Sequence, residues 1–432
     1  GSGEYENLSV HYTSDVSYNG DCTQLPQVWL NDQSLNWLGD MVFTTKNAFA
    51  KFSNFKFFFR IGNTTKNHLF FGFNSAYGAN VIFEDMCIEL YASSLSIRNP
   101  QIIGLEAPHL NLTINNVSII ANSQTLAVPQ IISLRTGLDN TYGSVKLTNL
   151  NISLGVNTTS QNNNGPKASY FQFLAQASLG TLILDNISIK YTTPQTQNLS
   201  TIRTFNISGF QRIFISNMLV SDANLYGRYQ SFISIIDTLE LSISRITLTN
   251  FNCIGPSSTD PCMTIFHVES SQESINLDYS TNFAITDITM TNTSNIQLMS
   301  LKTVTASLNI TNLNVNNLTL PTIPFMNVVL YFPAPEDNNN PVRPLYIDGM
   351  SVKNSTASSL FNFIYLNTEN GVIYNDLVPM YQFTLSSLNI NQNNFSSDSN
   401  TFAGVFTFIC TTVEVKNSIF SHNKYSSTYG FS

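Results

Sequence analysis

Charge is what this chain has least of. Lys and Arg number 19 and Asp and Glu 27, together 11% of 432 residues, against about 25% in an average globular domain. There is no basic run, and a net charge of −8 excludes the positive footprint of a nucleic-acid binder. Ala, Glu, Lys and Arg are scarce, which argues against a helical protein. No apolar run reaches the roughly 18 residues of a membrane-spanning helix. The start, Gly1-Ser2-Gly3-Glu4, lacks the basic and apolar regions of a secretion signal and reads as a mature or trimmed sequence. The five cysteines, at positions 22, 87, 253, 262 and 410, form no CxxC pair, so zinc and thioredoxin-type chemistry lack their usual spacing. Disorder is excluded too, because 42% of the residues are hydrophobic and 12% aromatic.

Uncharged polar residues fill the space that charge leaves. Asn alone occurs 54 times, and Ser with Thr make up about a fifth of the chain. They follow a repeat: apolar, any, apolar, any, a bend residue, apolar, any, apolar. It reads as Val145-Lys-Leu-Thr-Asn149-Leu-Asn-Ile152, as Leu182-Ile-Leu-Asp-Asn186-Ile-Ser-Ile189, as Ile213-Phe-Ile-Ser-Asn217-Met-Leu-Val220 and as Leu308-Asn-Ile-Thr-Asn312-Leu-Asn-Val315. Eleven copies start at Val81, Leu112, Val145, Leu182, Ile213, Leu241, Phe283, Leu308, Leu345, Phe383 and Val413, with steps of 25 to 42 residues. A constant motif at irregular steps means a fixed structural unit carrying variable loops.

Two period-2 stretches are two short strands with one buried side each. Between them the inward phase jumps by three residues, so the chain bends there without a full hairpin. Asn, Asp and Gly tolerate the left-handed conformation such a bend needs. The bend position holds Asp85, Asn116, Asn149, Asn186, Asn217, Arg245, Asp287, Asn312, Gly349, Ser387 and Asn417. A further apolar strand precedes most copies, as in Tyr170-Phe-Gln-Phe-Leu174 and Val405-Phe-Thr-Phe-Ile409.

Three strands per turn of about 30 residues, with an asparagine-type ladder at one corner, resemble the pectin-lyase-like superfamily of right-handed parallel β-helices. The resemblance covers residues 81 to 425. The Asn-rich, sequon-rich style also resembles the large β-helix surface glycoproteins of ciliate protists. The expected fold is therefore all-β, a right-handed parallel β-helix (solenoid) of about eleven rungs over 81–432. Residues 1–80 are expected to form an N-terminal cap. There Phe49, Phe52, Phe55, Phe57, Phe58 and Phe59 precede a polar turn and Leu69-Phe-Phe-Gly-Phe73, read as antiparallel aromatic strands. The C-terminal end reads as uncapped, since Val413 to Phe420 makes a full rung. A β-sandwich is disfavoured because hairpin turns do not recur every 8 to 12 residues.

Chemistry is sparse in the pattern. The resemblance implies polysaccharide cleavage for many members, but the Asn-Thr-Asp, Asp-Asp, Gly-His-Gly and Arg-Ile-Lys motifs of polygalacturonase-like members are absent. Carboxylates are spread about one per rung. Arg245 and Asp287, at the same bend on neighbouring rungs, read as a structural ion pair. The histidines at 11, 68, 109, 267 and 422 have no HExxH or triad context. Glu336 and Asp337 lie in a polar loop where a calcium ion is conceivable. No catalytic residue, cofactor or metal is assigned.

Cys253 and Cys262 bracket a Gly-Pro-Ser-Ser loop and read as a loop-closing disulfide. Cys22 is placed to fasten the N-terminal region to Cys87, and Cys410 is left over or pairs elsewhere. Disulfides favour an oxidising compartment. The chain carries 14 Asn-x-Ser/Thr sequons against roughly 11 expected by chance, so their position matters more than their number. Asn116 and Asn186 occupy the bend ladder and are expected to stay bare. Asn63, Asn157, Asn198, Asn206, Asn292, Asn317, Asn354 and Asn394 are expected to carry N-linked glycans, six of them (all but Asn63 and Asn206) just after the third strand, on one side. The functional expectation is a non-catalytic, secreted or cell-surface structural or adhesive glycoprotein. It would be a segment of a larger chain, or would stack end to end or on other surface proteins. The alternative is a carbohydrate-active or glycan-binding protein using the insertions near 250–280 and 321–343.

Overall fold

A computed structural model describes residues 5–32, 41–61, 69–92, 101–123, 130–135, 143–156, 168–175, 180–192, 202–226, 230–254, 263–270, 281–304, 306–332, 343–367, 381–397, 405–409 and 412–427. The described residues are all-β, with 29 strands and no helix. The architecture is a parallel β-helix, in which strands pair in parallel with their counterparts on neighbouring rungs. The chain divides into two compact units, residues 1–227 and 228–432.

In the first unit, Met41–Ser53, Leu69–Ala92, His109–Ser123, Gly143–Val156, Gly180–Tyr191 and Phe210–Tyr226 pair in succession. Their register follows the repeat. Val81 lies against Leu112, Leu112 against Val145, Val145 against Leu182, and Leu182 against Ile213. All five are buried, each contributing about 1.5–3 kcal/mol of transfer free energy. A second column runs from Gln101–Glu106 through Gln130–Arg135 and Ala168–Leu174 to Ile202–Ser208. Phe171 and Phe205 are register partners in it, and their rings stack with centroids 4.9 Å apart.

In the second unit the first column is Leu241, Phe283, Leu308, Leu345, Phe383 and Val413. The second column runs from Gln230–Ile236 through Met263–Glu269 and Ile296–Val304 onto the later part of Ala306–Phe332. On the rung formed by Thr412–Lys416, Ile419–Ser421 and Lys424–Ser427, Val413, Val415, Ile419, Phe420 and Tyr425 are exposed.

The described strands before residue 81 are parallel, not the expected antiparallel aromatic pair. Tyr5–Thr13 pairs in parallel with Met41–Ser53, Gln27–Asp32 pairs in parallel with Lys56–Ile61, and both partners pair in parallel with Leu69–Ala92. The boundary expected at 80/81 falls inside that last strand. The aromatic stretch is another copy of the motif, Ala50-x-Phe52-x-Asn54-Phe55-x-Phe57-x-Phe59, with Asn54 at the bend (φ 61°). Phe52, Phe55, Phe57 and Phe59 are buried in the column, and Phe52 stacks on Phe83 one rung on at 5.4 Å. The run Phe57-Phe58-Phe59 hides the alternation, because Phe58 faces the other way and carries the Lys56 ammonium 5.7 Å from its ring centroid.

Candidate functional site

The corner between the two strands of the motif is the feature the chain repeats most. All eleven expected bend residues have left-handed backbones, with φ between 48° at Asn417 and 72° at Gly349. Their side chains form a ladder with one polarity, in which the later rung donates and the earlier accepts. In the first unit Asn116 Nδ2 donates to Asp85 Oδ1 at 2.6 Å, and Asn186 Nδ2 to Asn149 Oδ1 at 2.7 Å. Two rungs use an offset acceptor one residue before the bend. Asn149 Nδ2 bonds Asn115 Oδ1 at 2.9 Å, and Asn217 Nδ2 bonds Asp185 Oδ1 at 2.7 Å.

In the second unit Asn312 Nδ2 donates to Asp287 Oδ1 at 2.9 Å. Asp287 follows Arg245, whose guanidinium has no acceptor to offer, so an acceptor-only carboxylate fits there. The two stand at the same bend on neighbouring rungs, as their flanking residues pair in register. Gly349 suits its corner, since φ there is 72° and an added Cβ would sit 3.0 Å from Asn312 Oδ1.

A second left-handed corner follows five residues after the first. It holds Asp222, Asn250, Asn292, Asn317, Asn354, Gln392 and His422, with φ between 52° and 59°. Asn292 Nδ2 donates to Asn250 Oδ1 at 3.1 Å, Asn317 Nδ2 to Asn292 Oδ1 at 2.8 Å, and Asn354 Nδ2 to Asn316 Oδ1 at 3.2 Å. Asn292, Asn317 and Asn354, the expected glycan-bearing positions just past a strand, stand at this corner and are ladder members, like Asn116 and Asn186. One residue further on, Ser355 and Asn393 turn inward and are buried. Ser355 Oγ accepts from Leu318 N at 3.1 Å, Asn393 Oδ1 from Ser355 N at 2.9 Å, and Asn423 Oδ1 from Asn393 N at 3.0 Å.

The other sequons differ in setting. Asn394 is exposed at the start of Asn394–Ser397. Asn206 is half-buried within Ile202–Ser208 and accepts from Arg203 Nη1 at 2.8 Å. Asn63, Asn157 and Asn198 lie outside the described residues. Cys22 and Cys87 form a disulfide with Cα atoms 5.8 Å apart. Cys253 is disulfide-bonded, whereas Cys262 and Cys410 lie outside the described residues.

Beside the first ladder of the first unit lies an open depression of about 570 Å³, lined by Glu84, Thr113, Asn115, Lys146, Thr148, Asn149, Ile183, Asp185 and Ser216. Most of these stand one or three residues before the bend, facing outward on successive rungs. Thr148 Oγ1 donates to Asn115 Oδ1 at 2.8 Å, and Ser216 Oγ to Asp185 Oδ1 at 2.5 Å. Glu84 is ion-paired with Lys51. Glu84 and Asp185 are three rungs apart, about 14 Å at the strand spacing, beyond the roughly 5–9.5 Å of a carboxylate pair that works on a glycosidic bond. On the matching face of the second unit, Asp348 is held below the usual carboxylate range by Ser386 Oγ at 2.5 Å, then by Ser387 and the Gly349 amide.

Among the described residues no group of three or more His, Cys, Asp and Glu could hold a metal ion. Glu336 and Asp337 lie outside them, as does His68. His267 is half-buried, with Nε2 3.4 Å from Glu269 Oε2, and His11 packs against Phe49 at 5.1 Å. Among the described residues the first unit buries two tyrosines. Tyr191 Oη shares a hydrogen bond with Thr204 Oγ1 at 3.0 Å, while Tyr170 Oη has no partner. Burial pushes both phenols well above the usual tyrosine range. Sequence reasoning missed the second corner and the inward amides, although Asn, Gln or His five residues past the bend was a usable signal from Arg245 onward. Against known proteins, no family model, curated protein or solved structure matches the chain.

Proposed function

We propose that this chain is a non-catalytic structural or adhesive glycoprotein of an extracellular or cell-surface setting. The observation that carries the reading is the outward surface of the rungs, where amide and hydroxyl side chains bond one another from rung to rung. Such a surface is committed to holding register. Its side chains already have partners, which is the opposite of a site that keeps polar groups waiting for a substrate. The carboxylates of the depression follow the same pattern, one tied to Lys51 and the other to Ser216 and Asn217.

The Cys22–Cys87 disulfide supports an oxidising compartment. The likeness to ciliate β-helix surface glycoproteins points the same way, and end-to-end stacking of copies is part of the proposal. The test is secretory expression, followed by mass measurement before and after enzymatic removal of N-linked glycans and by electron microscopy of the purified material. A secreted chain that carries glycans and binds or assembles without turning over polysaccharides is the expected result. Depolymerisation of an acidic or neutral polysaccharide, abolished by Glu84→Gln or Asp185→Asn, would replace this reading with the carbohydrate-active one.

A further inference from the structure

Asn309 is the sequon whose surroundings look built for a sugar. It opens Asn309-Ile310-Thr311 near the start of Ala306–Phe332, between the buried Leu308 and Ile310. Its own side chain is exposed and makes no hydrogen bond among the described residues. This separates it from Asn292, Asn317 and Asn354, whose amides donate into the second ladder, and from Asn111, whose Oδ1 accepts from Ser144 N and Oγ.

The register partners of Asn309 are Ala284 on the preceding rung and Tyr346 on the following one. Ala284 is small and leaves room on one side. Tyr346 alternates with the buried Leu345 and Ile347, so it faces outward, and 45% of it is exposed. Parallel strands bring register partners to about 4.8 Å, with side chains on one face. An aromatic ring therefore stands beside the amide nitrogen a glycan would use, at the reach of one sugar ring. Asn151 is the contrast: exposed and mid-strand, it pairs with Ser118 and Ser188 and has no ring on either side.

We propose that Asn309 is N-glycosylated and that the first N-acetylglucosamine lies against Tyr346. In the transfer, a bond forms between Asn309 Nδ2 and sugar C1. The C1–O bond to the diphosphate of a polyisoprenyl-linked oligosaccharide donor breaks, and the amide gives up one proton. Transfer takes place on extended chain, so the fold decides whether the product is tolerated. At Asn309 the sugar meets solvent and an aromatic face, where its axial C–H groups pack as in other carbohydrate–aromatic contacts. The attachment covers the part of Tyr346 that is otherwise exposed.

This inference rests on the glycoprotein reading above, and one experiment separates the two. The full chain is expressed through a eukaryotic secretory pathway and its glycans are trimmed to single N-acetylglucosamines. Glycopeptides are then mapped, and N-acetyl methyl signals are recorded by NMR, with Asn309→Gln identifying the one that belongs to this site. The expected result is an occupied Asn309 whose methyl signal is shifted upfield by the tyrosine ring and returns to the solvent position in Tyr346→Ser. A bare Asn309 beside an occupied Asn394, or a signal that Tyr346→Ser does not move, overturns the inference and leaves the glycoprotein reading standing. A chain bare at every sequon overturns both.

Discussion

The two units use the same first corner and differ at the position five residues after it. In the first unit that position holds Phe59, Leu90, Ala121, Leu154 and Tyr191, all buried. In the second it holds Asn250, Asn292, Asn317, Asn354, Gln392 and His422, all exposed and all left-handed. Asp222, on the last rung of the first unit, is already of the second kind. One period-2 strand thus either continues inward past the corner or turns again. The choice lies with a single side chain, because an apolar residue gains by burial while an Asn gains by bending and bonding its neighbour.

The largest expected effect that would break the comparison comes from putting the wrong residue at this position in the first unit. Leu154→Asn buries an amide where a leucine was packed and is expected to cost about 3–5 kcal/mol, read as a lowered denaturant midpoint. An unchanged midpoint would mean that the strand can turn there after all. Close behind is the bond that fastens the first unit. Replacing Cys22 and Cys87 with Ser opens a crosslink spanning 65 residues, worth about 4 kcal/mol on chain-entropy grounds. Hydrogen exchange should rise across 41–92 first.

The reciprocal change in the second unit is milder. Asn317→Leu forces a γ-branched side chain into the left-handed region and removes a ladder bond, about 2–3 kcal/mol in all. A cost equal to that of Leu154→Asn would make the two corners energetically alike.

Of similar size one pH unit above the unfolded value is the alkaline response of the first unit. Tyr170 and Tyr191 have folded pKa values raised above the unfolded value near 10. Their stabilising contribution is therefore fully present below about pH 10 and lost as pH rises beyond it, by about 1.4 kcal/mol per tyrosine per pH unit. A denaturant midpoint that stays flat to pH 11, or a Tyr170→Phe, Tyr191→Phe double variant with the same alkaline slope as the parent, would contradict this. The smallest effect is in occupancy. Glycopeptide mapping should find Asn292, Asn317 and Asn354 mostly bare and Asn394 occupied, and the reverse pattern would show that the ladder does not protect its amides.

Much of the frame was legible in the residues. The alternation of Val81, Phe83, Met86 and Ile88 about Asp85 states both the inward face and the place of the bend. The same holds even at Arg245 and Ser387, residue types that seldom turn left-handed. The second corner was harder to read, because an Asn after an apolar stretch can equally end a strand. Asn292 and Asn317 became ladder members only once their neighbouring rungs were in place. The N-terminal rungs were obscured for a different reason. Phe58 sits among inward phenylalanines, so alternation in Phe55–Phe59 is invisible to hydrophobicity and apparent only in burial.

What the sequence determined by itself, then, is phase: which side chains face inward, and where the backbone must turn left-handed. Both depend on a few adjacent residues, through strand alternation and the tolerance of Asn, Asp and Gly for positive φ. Tertiary structure decided partnership. Parallel pairing joins residues 25 to 45 positions apart, for example Phe283 with Leu308 and Phe361 with Phe406, through loops whose length carries no register information. It also decided whether Asn149 reaches Asn116 or, as observed, Asn115. The scarcity of charge follows from both. Inward positions exclude it, and outward positions are given over to amides and hydroxyls that both donate and accept along the ladder, as an ammonium or a carboxylate cannot.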